Sequence, residues 1–210
     1  MVKFSSLRIA ALTLGLSSLA FGQAAQEKLA AAITEARTET QATRKQLQDT
    51  IASLTALQNQ QAGDLRPSYD TFVGSIEQTR TAANLTAKRF DTMNQVSTSY
   101  FGAWKTEIDS MSSPDIKKIS TKRLAAVQKD YAKILKNLGA AKAKFPNMMS
   151  DLDDFKKALG MDLTPKGLKS LSKPVKKANQ SLADAQAPIV VSLVSFDDLA
   201  RELTPTGAAK

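Results

Sequence analysis

A long stretch with an apolar residue at almost every seventh position constrains the fold of this chain more than any other feature. It runs from Pro67 to Met111, and six of the seven residues in its first heptad row are apolar. That row is Tyr69, Ile76, Ala83, Phe90, Ser97, Trp104 and Met111. A second apolar row is offset by three or four residues, which places both rows on one face of a helix. No proline follows Pro67 within the stretch, so the pattern predicts one helix of about 45 residues.

Three further segments repeat this spacing, and turn signals separate them. The first of them extends from Gln26 to Ala62. Thr40, Thr43 and Thr50 occupy seam positions in it. Because threonine gains less from burial than leucine does, we expect this helix to be the least firmly docked. The pair Gly63-Asp64 supplies a glycine that can end this helix and an acid that can cap the next one.

The third segment begins at Ser112-Ser113-Pro114-Asp115, where serine can cap a helix and proline fits its first turn. Its apolar rows keep their phase across Pro146, so we expect a continuous helix that is kinked at this proline. The fourth segment follows a similar capping signal at Asp162–Pro165. We expect Pro174 and Pro188 to bend it.

Four amphipathic segments joined by short turns can hide their apolar faces by folding back on one another. The sequence therefore predicts an all-α fold: a long antiparallel four-helix bundle with coiled-coil-like packing, its third and fourth helices kinked at prolines. We expect a single domain over residues 23–203 and a frayed tail at residues 204–210. The expected core includes eight large side chains: Phe90, Trp104, Leu124, Tyr131, Leu138, Leu152, Leu182 and Phe196.

Residues 1–22 have the features of a secretory signal peptide. Lys3 and Arg8 supply a positive start, and the apolar run Ile9–Phe21 is too short to span a bilayer. The small residues at its end fit a cleavage site, so we expect cleavage after Gly22, with a cut after Ala24 or Ala25 as an alternative. An uncleaved membrane anchor is a further alternative. No cysteine follows the run, which excludes a lipoprotein, and we expect a periplasmic or secreted protein.

The composition removes several classes of chemistry. The chain contains neither cysteine nor histidine, which excludes thiol nucleophiles, disulfides, imidazole metal ligands and the Glu-x-x-His pairs of di-iron bundles. It also lacks a glycine elbow, a Ser-x-x-Lys context and a glycine-rich phosphate loop. We therefore expect no enzymatic activity and no cofactor, and no small-molecule substrate is evident.

Two clusters have the residue types of a site, and in both a structural role is favoured. The aromatic side chains within Tyr100–Trp104 could line a ligand pocket, but aromatic residues on a helix seam usually belong to the core. The aspartates within Asp151–Asp154, with Asp162 further on, could hold a hard metal ion such as Ca²⁺. They lack the spacing of a calcium loop and flank a seam position, so surface carboxylates are the better interpretation.

Positive charge is concentrated in one part of the chain. Residues 114–180 contain fifteen lysines and one arginine against six aspartates, a net charge of +10, compared with +9 for the whole chain. Five lysines follow heptad spacing on the outer faces of the predicted helices: Lys122, Lys129, Lys136, Lys166 and Lys173. One interpretation is a solvated bundle exterior. The other is a basic face for lipid head groups, polysaccharide or, less favourably because arginine is scarce, nucleic acid.

Several of these helix-packing residues resemble those of a known bacterial family. The run Tyr100–Glu107 looks like the aromatic-rich W-x-x-E end of a long helix in an exported family, and a later set of positions is also similar. That set is Arg123, Leu124, Tyr131, Leu135, Leu138, Ala141–Ala143, Met148, Met149, Leu152 and Asp153. The family is the domain of unknown function numbered twenty-nine fifty-nine, and the resemblance covers roughly Ala31 to Leu203. It implies an exported helical domain and transfers no functional residue.

These features predict an exported, non-enzymatic helical-bundle protein that acts by binding or scaffolding in the bacterial envelope. The first alternative is a lysine-rich module that docks on an anionic envelope surface. Salt separates the two, because charge-driven docking weakens as ionic strength rises. The second alternative is an enzyme of unrecognised type. The expected partner is an unknown protein or an anionic envelope component, and assembly into a homo-oligomer remains open.

Overall fold

The computed structural model describes the backbone of residues 14–60 and 62–203, and the side chains within these ranges from residue 22 onward. All of the regular structure in these ranges is α-helical, which confirms the predicted all-α class. The helices are α1 (Leu14–Asn59), α2 (Arg66–Ser110), α3 (Pro114–Met161), α4 (Pro165–Ser170) and α5 (Ser172–Leu203). None of the described helices combines the length and apolar composition that a membrane crossing requires.

The predicted ends of the chain fall largely outside the described residues. This applies to the first 13 residues of the predicted signal peptide and to the predicted tail at residues 204–210. Residues 14–22 form the beginning of α1, so α1 starts earlier than the predicted helix, whose first residue is Gln26. It also ends at Asn59 rather than at Ala62.

The starts of α3 and α4 follow the capping signals of the sequence. The Ser113 hydroxyl oxygen accepts the backbone N–H of Ile116 at 3.5 Å, and Pro114 follows in the first turn. The Thr164 hydroxyl oxygen accepts the N–H of Gly167 at 3.0 Å. A Cβ at Gly167 would lie 2.3 Å from the carbonyl oxygen of Asp162, so the turn before α4 requires glycine there.

The turn between α1 and α2 matches the sequence prediction only in part. Gly63 has a φ of +86°, the left-handed conformation expected of a glycine that ends a helix. The N-cap of α2, however, is Leu65 and not Asp64. The Asp64 carboxylate instead accepts the N–H of Arg66 at 2.9 Å. Arg66 is the first residue of α2, whereas a capping side chain accepts the N–H of the second or third residue.

The predicted fourth helix is wrong in one respect, because the structure divides it at Leu171 into α4 and α5. Pro174 explains the break. It has no N–H to donate to the carbonyl of Ser170, and its ring would clash with that carbonyl in a continuous helix. With a new helix starting at Ser172, Pro174 lies in the first turn of α5, where the missing N–H costs nothing.

Pro146 and Pro188 do not end their helices. α3 continues from Pro114 through Pro146 to Met161, and α5 continues through Pro188. Leu152, one turn and a half beyond Pro146, is fully buried, so the apolar seam is preserved across the proline. This confirms that α3 is one helix, while the bend at Pro146 stays a prediction.

The buried side chains form two clusters along the length of the molecule. α1 packs against α2 and α5, and α3 packs against the same two helices. One cluster joins the second half of α1 and the start of α2 to the end of α3 and the first part of α5, around Phe72 and Leu152. The other joins the first part of α1 and the middle of α3 to the end of α5, around Phe196.

Six of the eight expected core residues are buried, and the other two are only partly buried. The six are Leu124, Tyr131, Leu138, Leu152, Leu182 and Phe196. Phe90 and Trp104 pack against the second cluster with part of their surface exposed. Phe90 faces a cavity, and Trp104 lies near the end of α2 on a groove beside Tyr100. Both positions match the heptad spacing, but neighbouring helices do not close over them.

The expectation that α1 is the least firmly docked helix is wrong, because α1 and α2 share the most extensive contact of any pair. Hydroxyl groups bond across it. The Oγ1 atoms of Thr50 and Thr79 lie 2.8 Å apart, Thr50 also donates to the carbonyl of Ser75, and the hydroxyls of Ser53 and Ser75 lie 2.9 Å apart. Thr50 and Thr79 are both fully buried. Their short side chains let the helices approach, and the hydrogen bonds offset the smaller gain from apolar burial.

The hydroxyl pair should show up in a double-mutant cycle. We expect Thr50→Val and Thr79→Val each to lower the free energy of unfolding by ~1 kcal/mol, because each removes the hydrogen bond between the two buried hydroxyls. The double variant should lose less than the sum of the two. Urea denaturation measures all four proteins, and Thr71→Val, at an exposed position of α2, is the control. Strict additivity of the two losses would contradict the proposed coupling.

Candidate functional site

A cavity of about 250 Å³ lies between the two buried clusters. Its wall includes Leu47 and Ile189 from the first cluster and Leu138 from the second. All four long helices contribute small side chains to it: Thr40, Thr43, Ala83, Ala87, Ala141 and Ala185. Because four helices present short side chains at one level, the interior is not filled there.

The cavity opens to solvent between α2 and α3. Its buried lining residues include Thr40, Leu47, Leu138 and Ile189, whereas its exposed ones all belong to α2 or α3. The exposed lining residues are Asn84, Lys142 and Pro146. Among the four neighbouring pairs of long helices, α2 and α3 also share the least contact. The opening therefore lies along the least closely packed seam.

The threonine hydroxyls in the wall form hydrogen bonds within the protein. The Thr40 hydroxyl donates to the carbonyl of Ala36 at 2.6 Å. The Oγ1 atoms of Thr43 and Thr86 lie 2.9 Å apart and share a hydrogen bond. These hydroxyls turn their hydrogen bonds toward the backbone or toward each other. The surface they leave toward the cavity consists mainly of carbon atoms.

Lys142 and Pro146 give the mouth of the cavity its polar character. Pro146 has no N–H, so the carbonyl of Lys142 does not receive the usual helical hydrogen bond from that position. Lys142 is exposed, and within the described part of the chain its ammonium takes part in no ion pair. Phe90 and Phe145, both partly buried, lie in the wall beside it. A free cation therefore stands at the rim of an apolar space.

The structure keeps three of the five predicted basic residues together. Lys122, Lys129 and Lys136 are exposed on α3, about 10 Å apart from one to the next along the helix. Within the described residues none of the three forms an ion pair, whereas Lys133 on the same helix bonds to Asp130 at 2.5 Å. These three lysines are called the lysine row below.

The other two predicted basic residues lie apart from the lysine row. Lys166 is in α4 and Lys173 is at the start of α5, and both follow α3 in the chain. Lys173 lies beside Asp151, which is about 22 Å from Lys136 along α3. Lys173 also lines a groove with Asp151 and Asp154, so its surroundings are not uniformly positive. The structure therefore does not bring the five lysines into one face.

The aspartates of the third segment are placed as surface carboxylates. Asp153 accepts two hydrogen bonds from Arg80, at 3.0 and 3.1 Å, and so joins α3 to α2. Asp154 pairs with Lys157 at 3.4 Å. Asp162 accepts a hydrogen bond within the turn before α4. In the part of the chain that the structure describes, no group of three acidic residues is placed to hold a metal ion.

The aromatic residues near the end of α2 stack with one another and with α3. The ring centroids of Tyr100 lie 5.6 Å from those of both Phe101 and Trp104, and Phe101 meets Tyr131 of α3 edge-on at 5.6 Å. Tyr131 also donates to the Asn94 carboxamide oxygen at 3.3 Å. Burial raises the pKa of Tyr131. Burial also raises the pKa of Tyr100, although the nearby Arg123 acts to lower it. The cluster behaves as a packing element that leaves one side on a surface groove.

Sequence reasoning did not identify the cavity. The alanines that line it were counted as apolar seam residues, and a hydropathy pattern does not weigh side-chain volume. One signal was available: the seam rows of three helices carry alanine, at Ala83 and Ala87, at Ala141 and at Ala185.

Comparison with known proteins identifies the family and nothing more. A family model described as "Protein of unknown function (DUF2959)" matches residues 17–201. No curated protein and no solved structure matches the chain.

The buried Tyr131 hydroxyl should make stability depend on alkaline pH. Its pKa is raised above the ordinary value of 10.0, so folding favours the neutral phenol. This contribution is complete below pH ~10 and is lost as the pH rises through the pKa of the folded state. We expect the free energy of unfolding to fall less steeply above pH ~10 in Tyr131→Phe than in the wild type. Denaturation at stepped pH measures this, and identical slopes in the two proteins would count against it.

Proposed function

We propose that this chain, which belongs to the DUF2959 family of proteins of unknown function, is an exported, non-enzymatic protein of the bacterial envelope that docks on anionic lipid through α3. The observation that carries the proposal is the lysine row with two exposed isoleucines near its N-terminal end. Ile116 is 56% exposed and Ile119 is 68% exposed. Large apolar side chains next to unpaired lysines are typical of a surface that lies on a membrane interface.

The scaffold of this proposal is an antiparallel bundle of the four long helices. Contacts between neighbouring helices support it, because in each pair of helices the contacts move toward the end of one helix as they move toward the start of the other. The pairs are Glu35–Arg89 and Thr50–Thr79 for α1 and α2, Arg80–Asp153 and Asn94–Tyr131 for α2 and α3, Arg123–Glu202 and Lys144–Asp184 for α3 and α5, and Arg37–Asp197 and Thr55–Asn179 for α5 and α1. Such a rod presents α3 along its full length.

The outer face of α3 suits a lipid surface in both charge and shape. At about 100° per residue, Lys118, Lys129 and Lys136 lie within about 40° of Lys122, and Ile119 lies about 60° from it. The residues between them are often alanine, which lets a flat surface come close. Each lysine near an anionic bilayer contributes ~1 kcal/mol, so the row alone supplies about 3 kcal/mol of attraction. The isoleucines also add apolar contact, which favours a lipid surface over a polysaccharide.

Binding to vesicles tests the lysine row. We expect the purified mature protein to bind phosphatidylglycerol-containing vesicles, and the triple variant Lys122→Gln, Lys129→Gln and Lys136→Gln to bind roughly a hundredfold more weakly. The matched control removes three exposed lysines from α1 and α2 instead: Lys28→Gln, Lys45→Gln and Lys88→Gln. Sedimentation at two salt concentrations measures both variants.

The outcomes of the vesicle experiment separate the alternatives. A large loss in the α3 variant, a small loss in the control and weakening of wild-type binding by salt would support the proposal. Equal losses in both variants would mean that only net charge matters and would overturn the assignment to α3. Binding to anionic polysaccharide but not to vesicles would move the docking partner to the other envelope component.

Export is tested separately by the mass of the mature protein. We expect the chain recovered from the envelope fraction to begin at Gln23, because the apolar run is too short to remain as an anchor. Intact-mass measurement distinguishes this from a chain that keeps its first residues. Recovery of envelope-associated protein with Met1 in place would refute export by cleavage.

A further inference from the structure

We propose that the mid-bundle cavity binds a small amphipathic carboxylate, with its apolar chain inside the cavity and its anionic head group on Lys142. This inference does not depend on docking at the lysine row. It rests on the volume of the cavity, on the apolar character of its wall and on the free cation at its mouth.

The volume is sufficient for an organic ligand. The cavity measures about 250 Å³, whereas apolar cavities of ~150 Å³ in proteins already take up benzene. It is open on the α2–α3 side, so a ligand can enter without unfolding the bundle. Thr40, Leu47 and Ile189 close the inner end, which limits the length of chain that fits.

The wall favours hydrocarbon over water. A water molecule needs two to four polar partners, and the threonine hydroxyls of the wall already bond to Ala36 or to each other. Alanine methyl groups and the rings of Phe90 and Phe145 supply the remaining surface. An apolar chain in this space is removed from water and makes contacts that the empty cavity lacks.

The mouth favours an anion. Lys142 lines the cavity, it is exposed, and its ammonium takes part in no ion pair within the described residues. Asn84, exposed on the opposite side of the opening, can donate a hydrogen bond from its amide. The lining has no acidic residue that would repel a carboxylate. The apolar wall, the cation at the mouth and the open side of the cavity therefore indicate a medium-chain fatty carboxylate as the class of ligand.

A homologous series of probes tests both halves of the site. Isothermal titration of the mature protein with hexanoate and octanoate should show one site per chain, with affinity rising roughly fourfold per added methylene until the cavity is full. Octan-1-ol, which has the same chain and no charge, should bind roughly fivefold more weakly than octanoate. In Lys142→Met, which keeps the stem, octanoate and octan-1-ol should bind about equally.

Two further variants keep the result interpretable. Ala141→Leu fills the cavity, so we expect it to abolish octanoate binding while the thermal unfolding midpoint is unchanged or raised. Lys136→Met removes a charge from the outer face of the same helix and should leave octanoate binding unchanged. Octanoate binding that survives Ala141→Leu, or that falls equally in Lys136→Met and Lys142→Met, would overturn the proposal. So would the absence of saturable binding to the wild type.

Discussion

The volume of the side chains at the middle of the molecule determines how its four long helices can pack. Between α1 and α2 the small residues are hydroxyl-bearing, and the buried pair Thr50 and Thr79 bonds across the seam at 2.8 Å. Short side chains that bond to each other draw two helices together. Between α2 and α3 the small residues are alanines such as Ala83 and Ala141, which offer no such bond. The same reduction in volume therefore closes one seam and leaves a cavity in another, and it also separates the buried side chains into two clusters.

The course of the helices was predictable from sequence because it depends on periodicity and caps. The heptad rows place the second helix at Pro67–Met111, and α2 spans Arg66–Ser110. The phase of the rows across Pro146 correctly indicates one continuous helix, because a loop of arbitrary length would rarely preserve it. The break at Leu171 was missed for a local reason. Apolar spacing continues through it, but the proline three residues later removes a backbone donor, and hydropathy does not record hydrogen-bond donors.

The depth of burial and the candidate sites were less predictable, because they depend on how helices meet. Trp104 has the right heptad position, yet it lies close to the end of α2, where the neighbouring helices cover only part of it. The five basic positions share a spacing in sequence, but spacing within one helix does not relate Lys136 to Lys166 on another. The cavity requires alanines from different helices to lie at one level. That condition is set by the register between helices, which a single-helix pattern does not contain.

α3 carries both proposed sites, and its helical geometry keeps them apart. Lys122 and Lys142 are separated by twenty residues, which corresponds to a rotation of about 200° around the helix axis. The lysine row therefore faces outward while Lys142 turns toward the seam with α2, where the cavity opens. A molecule that lies on an anionic surface through the row would keep this opening to the side and away from the surface. Docking and ligand binding would then use opposite faces of one helix, and neither needs the other to be displaced.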